Sequence, residues 1–403
     1  MSETQDMSAV MACTTAPGAG WRAALLGRIL SRLRYGRLLC TTPEGESLEQ
    51  RGPLPGPEAR LVLHRWRAVR ALLLGGDEGF ADGFLRGDWS SPDLASFLTL
   101  AAQNFSNAHK PPLPLRLLHR LRHALNSNSR AGSRRNIMAH YDLGNDFYAA
   151  WLDPQMLYSS ALYRHPGESL DAAQLHKLGL IADWLDIHPN STVLEIGCGW
   201  GALAKLLGSA GARVTGLTLS PAQLAHARTC IAAAGLEGRV ALALRDYRDE
   251  TGHYDRIVSV EMLEAVGEAY WPVYFQSLRE RLKQGGKAVL QVITIDAARF
   301  SGYRANPDFI QRRVFPGGML PAKGHIATHA QAVGLRPGRV KSFGDSYALT
   351  LAAWRTRFLA AWPALAQMGF DERFKRLWLY YLCYCEAGFR AGIIDVGLYE
   401  FLG

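Results

Sequence analysis

The six cysteines of this 403-residue chain (Cys13, Cys40, Cys198, Cys230, Cys383, Cys385) form no CxxC pair and no zinc-type spacing with histidine. A disulfide scaffold is thereby excluded, and reduced thiols are expected. The twelve histidines include no HExxH or comparable constellation, so no metal centre is expected. No apolar run approaches the roughly 18 residues of a spanning helix, and the first residues lack a secretory apolar core. The expectation is a cytoplasmic protein. Internal repeats and long low-complexity tracts are also missing, which excludes solenoids and extended linkers.

What is present is an ordinary globular composition, 48% hydrophobic and 20% charged, in a chain long enough for two cores. The net charge of +9 is uneven: Met1–His140 carries +7 of it. A basic region beside a nearly neutral one suggests an anionic surface as partner, either nucleic acid or phospholipid. Within Trp21–Arg34, Trp21, Leu25, Ile29 and Leu33 fall on one helical face, while Arg22, Arg28, Arg32 and Arg34 lie largely elsewhere. Two readings stand, an interfacial amphipathic helix or a helix packed on its own domain. The expected organisation is a basic lipid- or membrane-interaction domain over 1–125, a linker over 126–135 and a larger domain over 136–403. Met1–Pro17 reads as disordered, Arg60–Asn104 as a small mixed α+β domain with turns at Gly75-Gly76-Asp77 and Gly87-Asp88, and Leu115–Leu125 as a basic helix.

Beyond the linker, strands and helices alternate as a doubly wound, mostly parallel α/β sheet of seven strands requires. Expected strands are Thr192–Ile196, Arg213–Leu219, Val240–Asp246, Asp255–Val260 and Lys287–Ile293, with helices over Pro221–Ala234 and Trp271–Leu282. A late antiparallel edge strand is expected at Leu349–Trp354, a helical insertion over Asp296–His329, and a helical tail from Arg355. The first strand runs straight into Gly197, Gly199 and Gly201 and then a helix start. Such a loop lets backbone pass close to a ligand and presents unpaired N–H groups suited to a carboxylate. With G-x-G-x-G spacing and Glu195 ahead of it, the loop resembles the S-adenosylmethionine pocket of class I methyltransferases rather than a dinucleotide fingerprint. No Asn/Asp-Pro-Pro-Tyr/Phe motif is present, so nucleic acid is not the expected acceptor.

Several separated motifs resemble one family, the cyclopropane-fatty-acyl-phospholipid synthases and mycolic acid cyclopropane synthases. They include His140-Tyr-Asp-Leu-Gly-Asn-Asp146, Tyr158-Ser-Ser-Ala161, Leu194-Glu-Ile-Gly-Cys-Gly-Trp-Gly201, Gly216-Leu-Thr-Leu-Ser220 and Asp246-Tyr-Arg-Asp249. Phe315-Pro-Gly-Gly318, Phe358-Leu-Ala-Ala-Trp-Pro363 and Cys385-Glu-Ala-Gly-Phe-Arg390 follow. The resemblance implies a lipid-modifying enzyme that adds a methylene unit from S-adenosylmethionine to the cis double bond of an acyl chain in a membrane phospholipid. A related reading ends in a methyl- or methylene-branched chain. It also implies peripheral association with the inner face of an anionic membrane and a possible homodimer.

Cofactor positions carry over as Gly197, Gly199 and Gly201 for the methionyl end, Thr218, Leu219, Ser220 and Gln223 near the ribose, and Tyr247 and Arg248 near the adenine. Tyr158 and Ser159 are expected to close over the cofactor, and Ser220 also suits a helix N-cap before Pro221. In the family the proton acceptor is a bound bicarbonate, whose holders correspond to Ser160, Glu264, Gln291 and Tyr347, with the Ile293 backbone close by. Here Ser160 replaces the best-known bacterial Cys, and Gln291 replaces His. Glu261-Met-Leu-Glu-Ala-Val-Gly267 stands where that pattern has Gly-Met-Phe-Glu-His-Val-Gly. Glu261 is therefore read either as a second carboxylate, acting as base or raising the pKa of Glu264, or as a solvated residue at a helix start. Cys385 matches a cysteine of the family's active-site set but reads more readily as a buried structural thiol beside Tyr381 and Tyr384, since only Arg390 nearby would favour a thiolate.

Overall fold

The computed structural model describes residues 20–105 and 143–403, which divide into two compact units. The expected linker at 126–135, the helix over Leu115–Leu125, the stretch Met1–Pro17 and the start of the His140 motif lie outside the described residues.

One unit comprises residues 20–105 together with Glu372–Ala387. Its sheet has the order β2-β1-β3-β4, from Tyr35–Thr41 (β1), Ser47–Arg51 (β2), Leu54–Leu63 (β3) and Trp89–Ser90 (β4). The fold thus begins well before Arg60. β1 alternates half-buried and buried positions around Arg37, a pattern whose charged outer face hides the strand. The Gly75-Gly76 pair is not a turn between elements. It sits inside the helix Arg67–Leu85 as a kink, with Gly76 at φ 60°. Trp89 is fully buried against Phe80, Phe84 and Phe97, and Tyr380 joins the cluster from the C-terminal helix. The first helix ends at Leu30 and buries Ala23, Leu26 and Leu30, not the face through Trp21 and Leu25. Trp21 is 72% exposed.

The other unit comprises residues 143–371 with Gly388–Gly403 and carries a seven-stranded sheet. Its strands are Thr192–Ile196 (β5), Arg213–Thr218 (β6), Val240–Leu244 (β7), Tyr254–Val260 (β8), Leu282–Ile295 (β9), Arg336–Ser342 (β10) and Ile394–Leu402 (β11). The order is β10-β11-β9-β8-β5-β6-β7. β7, β6, β5, β8 and β9 run parallel, while β11 is antiparallel to both β9 and β10. Chain order reverses direction at β5, between β8 and β6, and a crevice for a ligand opens at the carboxyl ends of strands at such a switch.

Two expectations about the C-terminal part are corrected. Leu349–Trp354 is not an edge strand; it lies within the helix Gly344–Gln367, which buries Tyr347, Leu351, Trp354 and Phe358 on one side. That spacing of three and four is helical, and it outweighs the strand propensity of the short run. The tail is also not helical to its end, because β11 follows the helix Glu372–Arg390 and completes the sheet. The insertion after β9 contains the helices Ala297–Ala305 and Phe309–Arg313, and the helix Lys323–Ala332 leads from it into β10.

Candidate functional site

The glycine loop leaves β5 at the switch point. The Gly197 and Cys198 N–H groups both donate to the Leu217 carbonyl of β6, at 3.0 and 2.8 Å, which pins the loop to its neighbour strand. Gly197, Gly199 and Gly201 have φ of +85°, +53° and +90°, all in the region that favours glycine. A Cβ on Gly197 would meet Met262, and one on Gly201 would press on Ala227, but nothing lies within 4 Å of a Cβ built on Gly199. That space is where a ligand can approach the backbone. Glu195, expected to bind cofactor, is buried in β5 and accepts from the Ala204 N–H in the first turn of the helix Ala202–Ser209, while its Oε2 has no partner among the described residues. Burial pushes its carboxyl up to about 8.

At the end of β6, Thr218 Oγ donates to Gln223 Oε1 at 2.9 Å, and the Ser220 side chain caps the Gln223 N–H. The expected N-cap at Ser220 is therefore present. Leu219 is half-buried between these two polar residues. Tyr247 follows β7 and is buried, with no partner for its hydroxyl. Arg248 is bound to Asp246 at 2.8 and 2.5 Å and lies over the rings of Tyr247 and Tyr270.

The acid chemistry sits at the end of β8, the strand beside β5. Glu261 follows β8 with φ 51°, one of four non-glycine residues with positive φ among the described residues. Its Oε1 accepts from the Ser160 N–H at 2.8 Å and from Gln291 Nε2 at 2.7 Å, and its Oε2 accepts from the Tyr347 hydroxyl at 2.7 Å. Glu261 is thus enclosed rather than solvated. Glu264, one helical turn on, accepts from the Ile293 N–H with Oε1, while Oε2 is buried without a partner. Burial and the neighbouring Glu261 charge push the Glu264 carboxyl up to about 8. Burial raises Glu261 as well, but its three donors and Lys177 pull the other way. Of the two carboxyls Glu261 is the better supported as an anion, with three donors against one for Glu264.

This arrangement differs from the one the resemblance implies for bicarbonate. The Ser160 hydroxyl turns to the Ala161 carbonyl, and it is the Ser160 backbone N–H that faces the site. The Gln291 amide spans Glu261 and the Ser160 carbonyl. The donors assigned to bicarbonate are engaged by Glu261 and Glu264, so these residues do not fit a bicarbonate held between them.

The loop carrying Tyr158, Ser159 and Ser160 is organised from below by residues that sequence reasoning missed. Asp153 accepts from the Gln155 and Leu157 N–H groups, each at 2.9 Å. Gln174 donates to the carbonyls of Ser159 and Leu157, and Lys177 Nζ donates to Ser159 Oγ at 2.7 Å. Thr350 accepts from the Ala161 N–H. Tyr158 packs among Tyr148, Trp151 and Trp354 at centroid distances of 5.3–5.6 Å. The available signal was in the helix Leu170–Leu185, where Gln174 and Lys177 share the buried face with Leu170, Leu178 and Ile181. A polar pair on an apolar face needs buried partners.

Cys385 is half-buried on the C-terminal helix, in the segment Glu372–Ala387 that groups with the first unit. Among the described residues no cluster of His, Cys, Asp and Glu suits a metal, and no helix is long and apolar enough to cross a membrane.

For S-adenosylmethionine the residues fit. The open space at Gly199 and the Tyr247 hydroxyl, without a partner among the described residues, lie past the carboxyl ends of β5 and β7, the strands on either side of β6. A buried polar atom left unpartnered costs about 1–3 kcal/mol, so Tyr247, Gln291 Oε1 and Glu264 Oε2 mark places where a further partner is favourable.

Comparison with known proteins agrees. The family model for mycolic acid cyclopropane synthetase matches residues 128–398. A tuberculostearic acid methyltransferase of Mycobacterium tuberculosis is 41% identical over 83% of this chain and 81% of its own length. The cyclopropane-fatty-acyl-phospholipid synthase of Escherichia coli K12 is 35% identical over 81% of this chain and 83% of its own. A solved mycolic acid cyclopropane synthase complexed with SAH and CTAB superposes with a TM-score of 0.63 at 30% identity. It covers 67% of this chain and 98% of that one.

Proposed function

The chain belongs to the mycolic acid cyclopropane synthetase family of S-adenosylmethionine-dependent methyltransferases, and from that footing we propose that it alkylates the cis double bond of an unsaturated acyl chain in a membrane phospholipid and closes a cyclopropane ring. The observation that carries the reading is the Glu261 carboxylate, held by three donors at the carboxyl end of β8, next to the strand that feeds the glycine loop.

S-adenosylmethionine, when bound, supplies an electrophilic methyl group. Gly197, Gly199, Thr218, Ser220, Gln223 and Tyr247 hold it, with Tyr158 and Ser159 as the cover. The chain's own work begins with exclusion of water, since an isolated alkene is a weak nucleophile and must be held in line in a dry pocket. Alkylation leaves positive charge on the adjacent carbon. The Glu261 anion and the face of Tyr347, which stacks on Phe389 at 4.5 Å, stabilise that cation. Glu261 then takes a proton from the newly attached carbon, and the electron pair of that C–H bond closes the ring. A methyl proton in a 1,3 relation to the carbocation is acidic enough that a carboxylate with three hydrogen bonds accepts it. Glu261 thereby takes the part that the family resemblance gives to bicarbonate.

A second reading, a methyl- or methylene-branched product, is favoured by the 41% identity to the tuberculostearic acid methyltransferase and by Ser160 and Gln291. Expression in a bacterium lacking its own synthase, followed by proton NMR of the fatty acids, tests both. Cyclopropane ring protons in that spectrum are the expected result. Branch-methyl or exocyclic vinylic signals would replace it with the second reading. Unchanged fatty acids in the presence of folded, cofactor-binding protein would overturn both.

A further inference from the structure

Lys177 is the only lysine or arginine in the buried class among the described residues. Taking an ammonium out of water costs several kcal/mol unless charges around it compensate. Its one hydrogen bond goes to Ser159 Oγ, at 2.7 Å, on the loop expected to cover the cofactor. The carboxylates that act on it are Glu261, Asp153 and Glu195. These belong to three parts of the site. Glu261 ends β8 among the donors of the acid centre. Glu195 lies in β5 under the glycine loop. Asp153 sets the turn that leads to Tyr158. Glu264 adds a fourth buried carboxyl beside Glu261. A single buried cation thus faces an excess of acidic groups at the place where the glycine loop, the covering loop and the acid centre meet.

We propose that Lys177 is a positioning residue that holds the covering loop over the cofactor and balances the buried carboxylates, so that the site discriminates the cationic sulfonium cofactor from its neutral thioether product by charge. The inference rests on the cofactor reading above. With Lys177 present, the charge of the carboxylates that act on it, Glu261 foremost, is partly compensated, and attraction for a second positive charge is moderated. When the methyl leaves, the ligand becomes neutral and only packing and hydrogen bonds retain it. Lys177 therefore sets how far the affinities for S-adenosylmethionine and S-adenosylhomocysteine stand apart. A lysine with a purely structural role would affect both ligands alike.

Calorimetric titration of the full chain with each ligand at pH 7.5 separates these roles. In Lys177→Met the preference for S-adenosylmethionine over S-adenosylhomocysteine should widen by about fivefold or more, the size expected from removing a nearby like charge at an effective dielectric of about 20. Lys177→Gln, which keeps a donor for Ser159, should show the same widening, and it covers the case in which the methionine variant does not fold. Lys177→Arg should keep the wild-type ratio. Gln174→Met loses the clamp on the Ser159 carbonyl but keeps the cation, so both affinities should fall together. An unchanged ratio in Lys177→Met and Lys177→Gln would overturn the charge-balancing role. A wild-type protein that binds neither ligand would overturn the cofactor reading, and this inference with it.

Discussion

Glu261 occupies a backbone conformation that an L-residue adopts at a cost of roughly 1–2 kcal/mol, at a position where the family pattern that this chain departs from has glycine. Residues held in such conformations cluster at functional sites. The side chain that replaces glycine here brings its own carboxylate into the donor set of Ser160, Gln291 and Tyr347. Glu261→Gln should lower turnover by a hundredfold or more, on the order of a lost general base, with cofactor affinity retained. Depletion of dissolved bicarbonate should leave the wild type unaffected. Glu261→Gly relieves the backbone and opens the donor set, and added bicarbonate should restore part of its rate. Bicarbonate dependence in the wild type with an active Glu261→Gln would return the role to the anion. Glu264, Gln291 and Tyr347 could be named from sequence because motif positions carried them. That the Gln291 and Tyr347 donors turn to Glu261 depends on side-chain directions that spacing does not encode.

The elements around the site were legible where their periodicity is strong. Four of the five parallel strands lie within two residues of their expected bounds, since each is a short run of β-formers ending at a turn or a helix cap, whereas β9 begins at Leu282 rather than Lys287. The covering loop was not legible, because Asp153, Gln174, Lys177 and Thr350 come from separate parts of the chain and act only through contact. The glycine loop gives two different outcomes by the same substitution. Gly197→Ala meets both a positive φ and the Met262 side chain at 2.6 Å, so it should lower the melting temperature, with about 1–2 kcal/mol from the backbone alone. Gly199→Ala has the positive φ but no protein neighbour, so it should melt closer to wild type and lose S-adenosylmethionine affinity in calorimetry. Normal cofactor binding by a folded Gly199→Ala would place the methionyl end elsewhere.

At the scale of the molecule, buried charges give stability a characteristic pH dependence. Glu195 and Glu264 rise from 4.5 to about 8. Between those values the native state binds more protons than the unfolded chain, so their contribution to stability is lost as pH rises toward 8. Lys177 falls from 10.5 to about 8, and above pH 8 the native state binds fewer protons, so stability recovers toward 10.5. Thermal melts from pH 5.5 to 10 should show a minimum near pH 8, and Glu264→Gln should flatten its acid side. A monotonic rise through this window would contradict the burial of these groups.

The basic charge is also a whole-molecule property. Trp21 and Leu25 are exposed beside exposed Arg22, Arg28 and Arg32, a surface suited to anionic bilayers at about 1 kcal/mol per basic residue near the headgroups. Sedimentation with vesicles containing phosphatidylglycerol should fall with salt and with Trp21→Ala. Equal binding to zwitterionic vesicles at high salt would remove this partner.

The insertion of β11 between β9 and β10 has a temporal consequence. Leu398 pairs in register with Gln291, and Val396 with Ile293, so the two residues of β9 that hold the acidic pair are backed by a strand synthesised well after them. A nascent chain that has released everything up to Glu372 still lacks the strand that flanks its chemical centre. Activity should therefore emerge only once β11 has been released, and ribosome-stalled chains ending before Ile394 should have a sheet edge open to chaperones.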